Sequence, residues 1–342
     1  MYVFIYSKIT KKDNRSWISL VALVCQTTSL VLLLRYSRTV NSEKYLSSTA
    51  VVTAEFLKGI VCIFLVWLEN DRSINRVILV INEEIYNKPH DTMRFARLSG
   101  LYAIQNNLLF IALSYLNTAT YQVTYQSKIL TTALFSVFIL NKKIEKRQWF
   151  SLFMLAIGVA LVTWPTSDES NKRLTAQNQA TWVQQMMGFC AVFVSAMTSG
   201  FVGVYFEKIL KTEPTSVWVR NIQLAIFGTI FGLLIVFCFD CKAIMDKGFF
   251  QGYTTIVWIV IFLQAIGGLI IAIVIKHADN IIKGFATSLS ILFSFVISFF
   301  VLHDFTPTLF FYIGTMSVLT ATFLYGWEKP KVTPSANDQP RV

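Results

Sequence analysis

Two lysines stand where an apolar stretch should hold none. Lys128 lies in a run that ends at Leu140, and Lys283 lies in another that follows Asn280. A lysine at the centre of a membrane helix costs roughly 2.5–3.5 kcal/mol on insertion scales, so each needs a role. Tyr121, Tyr125, Lys128 and Thr132 are spaced i, i+4, i+7 and i+11. Lys283, Thr287, Ser290 and Ser294 repeat that spacing. On a helix each set shares one face. A hydroxyl-bearing stripe around a cation suits a bound anion. The plainer reading is a lysine neutralised by a buried carboxylate that ties helices together. Lys283 has a further feature: Asp279 or Asn280 can cap its helix. The lysine then sits in the first turn, where the dipole is positive and free N–H groups welcome phosphate. The expectation is that Lys128 and Lys283 hold the phosphates of one anionic substrate.

Other polar side chains interrupt the apolar runs. Tyr102, Gln105, Asn106 and Asn107 fall together, with Tyr102 and Asn106 one turn apart. Amides donate and accept, which suits the edge of a pyrimidine, and tyrosines stack on bases. Interhelical amide bonding is the plainer reading and is preferred for Asn107. Glu55 and Lys58, at i and i+3, can pair with each other. Alternatively, Lys58 exchanges Glu55 for a substrate phosphate. Ser199 is a candidate for the wall of a cavity. Arg220 is expected to snorkel to the membrane interface, with Asn221 deeper and a candidate ligand. Gly203, Gly267, Gly268 and the Gly228–Gly232 pair permit close approach of a helix or a ligand. His277 reads as an interfacial side chain. Cys238 and Cys241 form one C-x-x-C, which cannot make a four-ligand zinc site. No metal, cofactor or catalytic group is expected, because the three histidines and the carboxylates show no catalytic spacing.

The elements that carry these residues follow from composition. The chain has 342 residues, 54% hydrophobic and 14% charged, with a mean hydropathy of +0.55. Soluble domains carry about 25% charged residues, so this is an integral membrane protein. The net charge of +11 does not point to nucleic acid, because the basic residues sit between apolar runs. The pattern predicts an all-α polytopic membrane protein. Ten spans fall at roughly 17–34, 46–68, 96–115, 119–140, 149–165, 184–206, 217–239, 254–275, 281–302 and 307–327. Segment 69–95 reads as a mixed-charge loop, and 141–148 as a compact basic loop. Most Lys and Arg fall on the side of the amino terminus, which places both termini in the cytosol. The divisions are a cytosolic segment 1–16, a first five-helix repeat 17–165, a luminal linker 166–183, a second five-helix repeat 184–327 and a cytosolic tail 328–342. An odd number of spans per half makes equivalent halves inverted. Aligning Lys128 with Lys283 pairs Thr132 with Thr287 and puts each lysine in the fourth span of its half. Inverted repeats around a midplane site are a transporter architecture.

Five strings add a family likeness. They are Ala103-Ile-Gln-Asn-Asn107, Tyr121-Gln-Val-Thr-Tyr-Gln-Ser-Lys128, Gly203-Val-Tyr-Phe-Glu-Lys208, Trp218-Val-Arg-Asn-Ile-Gln223 and Ala278-Asp-Asn-Ile-Ile-Lys-Gly-Phe-Ala-Thr-Ser-Leu-Ser290. In order, over roughly 17–327, the chain resembles the Golgi nucleotide-sugar transporters of the drug/metabolite transporter fold. The likeness is to the branch that carries CMP-sialic acid, UDP-galactose and UDP-N-acetylglucosamine. It implies exchange of a cytosolic nucleotide sugar for a luminal nucleoside monophosphate. It also places Tyr102, Asn106, Tyr121, Ser199 and Asn221 near the nucleoside, Lys128 and Lys283 near the phosphates, and Lys58 close to the ligand. Ile271-Ala272 replaces hydroxyl residues common in CMP-sialic acid carriers. Gly248-Phe-Phe-Gln-Gly-Tyr253 and the Ala-Thr-Ser-Leu-Ser run look like the UDP-sugar carriers. His277 replaces a tyrosine common in the branch.

The expectation is therefore a Golgi membrane antiporter that brings in UDP-N-acetylglucosamine, UDP-galactose or both and returns UMP. Membrane lipid is its surroundings, nucleic acid is not a partner, and a homodimer stays open. The alternatives are a carrier of CMP-sialic acid or of a phosphorylated metabolite, and a membrane glycosyltransferase.

Overall fold

The computed structural model describes residues 2–40, 45–116, 121, 124–162, 182–302 and 308–326. The turn at Asn117-Thr118, most of the linker 166–183 and the tail 328–342 lie outside the described residues. The described residues are helical and contain no strand. We number the α-helices α1 Tyr2–Val40, α2 Ser47–Glu69, α3 Ile74–Ile81, α4 Pro89–Tyr115, α5 Ser127–Leu140, α6 Lys146–Val162, α7 Trp182–Thr212, α8 Val217–Phe239, α9 Cys241–Lys247, α10 Thr255–His277, α11 Asn280–Ile297 and α12 Leu309–Gly326.

Long apolar sequences make these helices, because a backbone in hydrocarbon must satisfy its own hydrogen bonds. Among the described residues six stretches are long and apolar enough to cross a membrane: Ser16–Leu34, Ser47–Glu69, Trp182–Thr212, Val217–Phe239, Thr255–His277 and Asn280–Phe300. Ser127–Leu140 and Leu309–Tyr325 are shorter apolar helices. Large apolar side chains such as Phe138, Phe153, Phe237 and Phe323 point outward. That is the surface of a protein bathed in lipid rather than water. The chain is a multi-pass membrane protein.

Helix α2 packs on α8, and α6 packs on α12. Helix α1 packs on α10 and α11, while α7 packs on α4 and α5. Helix α8 also meets α4, and α10 meets α2. One apolar cluster joins α5, α6, α11 and α12 through Leu152, Leu155, Phe285 and Val318. Another joins α4, α7, α8 and α10 through Phe95, Val202, Phe206 and Ile275.

The segment 69–95 is not the loop expected from its charges. It holds α3, a π-helical turn at Asn82–Tyr86 and the start of α4 at Pro89. Proline suits that first helical turn because its missing N–H has no partner to lose. Likewise, α6 starts at Lys146, inside the expected basic loop.

Candidate functional site

The Lys128 ammonium lies over the Tyr125 ring, 4.3 Å from its centroid. Tyr125 stacks on Tyr121, with centroids 5.8 Å apart and planes within 11°. The Tyr125 hydroxyl meets the side chains of Ser199 on α7 and Gln105 on α4. Thr131 donates to the Ala196 carbonyl at 2.9 Å and so seats α5 on α7. The seat requires Gly200: a methyl there would stand 2.7 Å from Thr131 Oγ1.

Lys283 lies within Coulombic reach of Lys128 and of Glu207. Glu207 is already paired with Lys211 at 2.6 Å. Among the described residues neither Lys128 nor Lys283 has an ion-pair partner within 4.0 Å. Their positive charges are therefore available to an anion.

The cap of α11 corrects one expectation. Asp279 is the cap and accepts the Ile282 N–H at 2.7 Å. The buried Glu207 carboxylate accepts the Asn280 N–H at 2.9 Å. The Lys283 N–H is bonded to the Asp279 carbonyl at 3.0 Å. Two carboxylates thus occupy the helix end that was expected to welcome phosphate, and the Lys283 side chain is left as the anion-binding feature. The hydroxyl stripe also divides. Thr287 donates to its own helix, at the Lys283 carbonyl, 2.9 Å away. Ser290 is fully buried and turned toward α1, where Thr28 donates to its carbonyl at 3.3 Å.

Lys58 is buried and ion-paired with Glu55. Two glycines make room for this pair. A methyl at Gly228 would meet Glu55 Oε2 at 2.7 Å, and one at Gly268 would meet Lys58 Cδ at 3.1 Å. Gly203 lies against the Asn280 amide, and Gly267 against Gln26. Tyr102 is 37% exposed yet within Coulombic reach of both Tyr125 and Glu55. Asn106, one turn along, is exposed. Asn107 donates to the Ala103 carbonyl of its own helix at 2.8 Å, instead of bridging helices. It lines a cavity of about 370 Å³ between α4 and α8 with Ile104, Ile111, Phe231 and Leu234. That cavity is apolar, contains neither lysine and is a lipid-side groove.

Asn221 is buried, and its Nδ2 donates to the Val217 carbonyl at 2.9 Å, leaving its oxygen and its second amide hydrogen for a ligand. Arg220 does not snorkel. It is 2% exposed, pairs with Glu213, donates to Thr215 and Gln223 and lies over the Phe95 ring at 5.3 Å. Its Nε has no hydrogen-bond partner among the described residues, but the charge-assisted bond to Glu213 and the bonds to Thr215 and Gln223 hold the guanidinium inside. His277 Nδ1 lies 2.9 Å from the Ile273 carbonyl. All five cysteines, Cys238 and Cys241 included, are free. No group of three metal-ligating side chains occurs among the described residues.

Two internal lysines without an ion-pair partner among the described residues, beside stacked tyrosines, can receive an anion. A model of the nucleotide-sugar transporter family matches residues 11–326. The chain belongs to the nucleotide-sugar transporter family. It is 54% identical over 325 residues to the UDP-N-acetylglucosamine transporter of Rattus norvegicus, covering 94% of this chain and 98% of the relative. The Homo sapiens UDP-N-acetylglucosamine transporter is 54% identical over 326 residues, with the same coverage. The UDP-galactose translocator of Mus musculus is 44% identical over 321 residues, covering 94% of this chain and 80% of that relative. A solved crystal structure shares the fold with a TM-score of 0.58 at 13% identity, covering 91% of this chain and 97% of the other. This nucleotide-sugar transporter is a carrier and not an enzyme.

The expected residues Lys128, Tyr121 and Ser199 come together around Tyr125, with Lys283 and Tyr102 in electrostatic reach. Asn221 and Lys58 are each engaged with a neighbour on their own helix. Gln105 and Tyr125 join this cluster, and Glu207 the nearby cap of α11, without having been expected as ligands. Tyr125 stood in the lysine stripe, and Gln105 stood among the amides one turn from Leu101; buried Glu207 carried no spacing signal.

At one end of the bundle two further contacts bring loops together. Lys142 is ion-paired with Asp279, and Lys211 donates to the Ala278 carbonyl at 2.8 Å. Burial works against the Lys142 ammonium, but the Asp279 carboxylate beside it outweighs burial and holds its pKa above the ordinary lysine value.

Proposed function

We propose that this carrier imports UDP-N-acetylglucosamine, UDP-galactose or both into the Golgi lumen in exchange for UMP. The observation that carries the reading is the Lys128–Lys283 pair of unneutralised ammonium groups beside the Tyr121–Tyr125 stack. A nucleotide sugar presents a diphosphate for the lysines and a base for aromatic rings or amide edges. UMP keeps the nucleoside and one phosphate, so one site can grip cargo and counter-cargo in turn. Tyr102, Asn106, Tyr121, Ser199 and Asn221 are assigned to the nucleoside and sugar, and Lys58 is assigned a phosphate it can take in exchange for Glu55. Relatives named for UDP-N-acetylglucosamine and UDP-galactose favour these cargoes over CMP-sialic acid.

The proposed frame is ten spans in two inverted five-helix repeats, 17–165 and 184–327, joined by the linker 166–183, with cytosolic termini. Its support is the packing pattern. Exchanging each span of the first half with its counterpart turns the α1–α10 contact into α7–α4. The α1–α11 contact becomes α7–α5, and the α4–α8 contact becomes α10–α2. The α2–α8 and α6–α12 contacts map onto themselves. Helices α2 and α8 are each 23 residues long and each followed by a short helix, α3 and α9. Rocking of the halves about the central site would then alternate its exposure.

Counterflow tests the reading. Proteoliposomes preloaded with UMP or CMP should take up UDP-N-acetylglucosamine or UDP-galactose only against UMP. Uptake of CMP-sialic acid against CMP, or no stimulation by either nucleotide, overturns it.

A further inference from the structure

Helix α3 is apolar on two sides. Its inner face packs on the bundle: Val77 is buried, and Val80, Ile81 and Ile85 of the following turn pack with Cys62, Val66, Val219 and Ile222. Its outer face leaves Ile74 68%, Ile78 60% and Leu79 57% exposed on an eight-residue helix. Helix α3 begins only a short turn after α2 ends at Glu69. That turn passes through Asp71 and Arg72 at φ 53° and 57°, a left-handed pair that reverses the chain where the span stops. The outward stripe of α2 runs Phe56, Ile60, Phe64, Leu68, one residue per turn. The inner face of α3 packs on Cys62 and Val66 in the last two turns of α2 and on Val219 and Ile222 at the start of α8, so α3 lies at the level where both spans end.

We propose that α3 lies in the membrane–water boundary as an interfacial helix, its Ile74, Ile78 and Leu79 face embedded in the acyl and headgroup margin of phospholipid. Its place where two apolar spans end selects lipid over a protein partner. Arg72, exposed at the turn and free of ion pairs among the described residues, is placed to reach headgroup phosphate. The helix is not loosely attached behind this face. Glu84 in the π-helical turn accepts from Thr215 at 3.0 Å and from Lys88 at 2.7 Å. Gln223 of α8 donates to the Glu84 carbonyl at 3.2 Å. The anchor is thus bolted to the start of α8, so a hold on the bilayer surface fixes the depth of that helix. The inference rests on α2 crossing the bilayer and not on the identity of the cargo.

The test puts photoreactive benzoylphenylalanine in place of Ile78, of Ile74, or of the exposed Glu83 in the full chain, reconstituted in phosphatidylcholine liposomes. After illumination, mass spectrometry should find phospholipid adducts at positions 78 and 74 at least five-fold more often than at 83. Two apolar positions guard against one variant failing to fold. Equal adduct yields at all three positions, or a product of twice the chain mass from 78 or 74, overturns the proposal; the second outcome would assign the face to another copy of the chain.

Discussion

Glu207 holds Asn280: the carboxylate on α7 accepts the first backbone N–H of α11 at 2.9 Å while its other oxygen pairs with Lys211 at 2.6 Å. One buried side chain thereby joins two helices of the second half near Lys283. Glu207→Gln keeps an acceptor for Asn280 and loses the charge that holds Lys211. Glu207→Ala loses both and leaves a buried donor unmet, at about 1–3 kcal/mol. The expected order of thermal midpoints in detergent is wild type, Gln, then Ala. An Ala variant as stable as wild type would remove this joint from the account.

Lys128→Ala and Lys283→Ala should each abolish nucleotide-sugar uptake while the protein still reaches the membrane in normal amount. Neither lysine has a described ion-pair partner to strand, so neither change leaves a buried carboxylate uncompensated. Surface-normalised uptake into vesicles is the measurement. Normal uptake by either variant contradicts the cooperative phosphate grip.

Tyr125→Phe keeps the ring beneath Lys128 and removes the hydroxyl that meets Ser199 and Gln105. Losing one such polar link costs about 1 kcal/mol. If the hydroxyl orients the site, half-saturation for the nucleotide sugar should rise about five-fold, with the maximal rate little changed. A saturation curve superimposable on wild type would leave the hydroxyl with no part in binding.

Two glycines on neighbouring helices should respond oppositely. At Gly203 a methyl group would stand 2.5 Å from the Asn280 amide nitrogen, so Gly203→Ala should cost about 1–3 kcal/mol by overpacking. At Gly284 a methyl would meet nothing within 4 Å. Gly284→Ala should be neutral or stabilise by about 0.5–1 kcal/mol through helix propensity. Midpoints of thermal unfolding, measured side by side, decide between them.

Glu84 gives an acid-side signature. Burial raises its carboxyl pKa, but hydrogen bonds from Lys88 and Thr215 and the nearby positive charges outweigh it, so the folded value lies below the ordinary 4.5. A carboxyl lowered on folding contributes stability above its unfolded pKa and loses it as pH falls through the folded value. Unfolding midpoints should therefore fall as pH drops below about 4.5, and Glu84→Gln should flatten that part of the curve. The effect is under about 1 kcal/mol, because Glu84 is only partly screened from water.

Much of the bundle was legible because hydrocarbon imposes one rule on every span. Long apolar runs become helices, and the lysines stand out against them. What spacing could not supply was the neighbour on each face. Lys283 and Ser290 share a side of α11, yet two turns along that side the neighbour is α1, so Ser290 serves packing. Helix α3 was hidden for a different reason. Its apolar residues are too few to span, and the charges of Asp71, Arg72, Arg76 and Glu83 around them mimic a solvated loop. Arg220 misled because a cation near a span end ordinarily seeks water, whereas Glu213 arrives from the preceding loop to meet it. Asp279 was readable as a cap, but Glu207, distant in sequence, completes the same helix end and displaces phosphate from it.

The bare ammonium groups of Lys128 and Lys283 also constrain how the machine resets. When the halves rock past the closed intermediate with nothing bound, two uncancelled cations are shut away from water on both sides at once. A nucleotide anion travelling with them removes that obstacle. Under the proposed exchange the empty return stroke is therefore the slow one, a revolving door that turns readily only when someone stands in it.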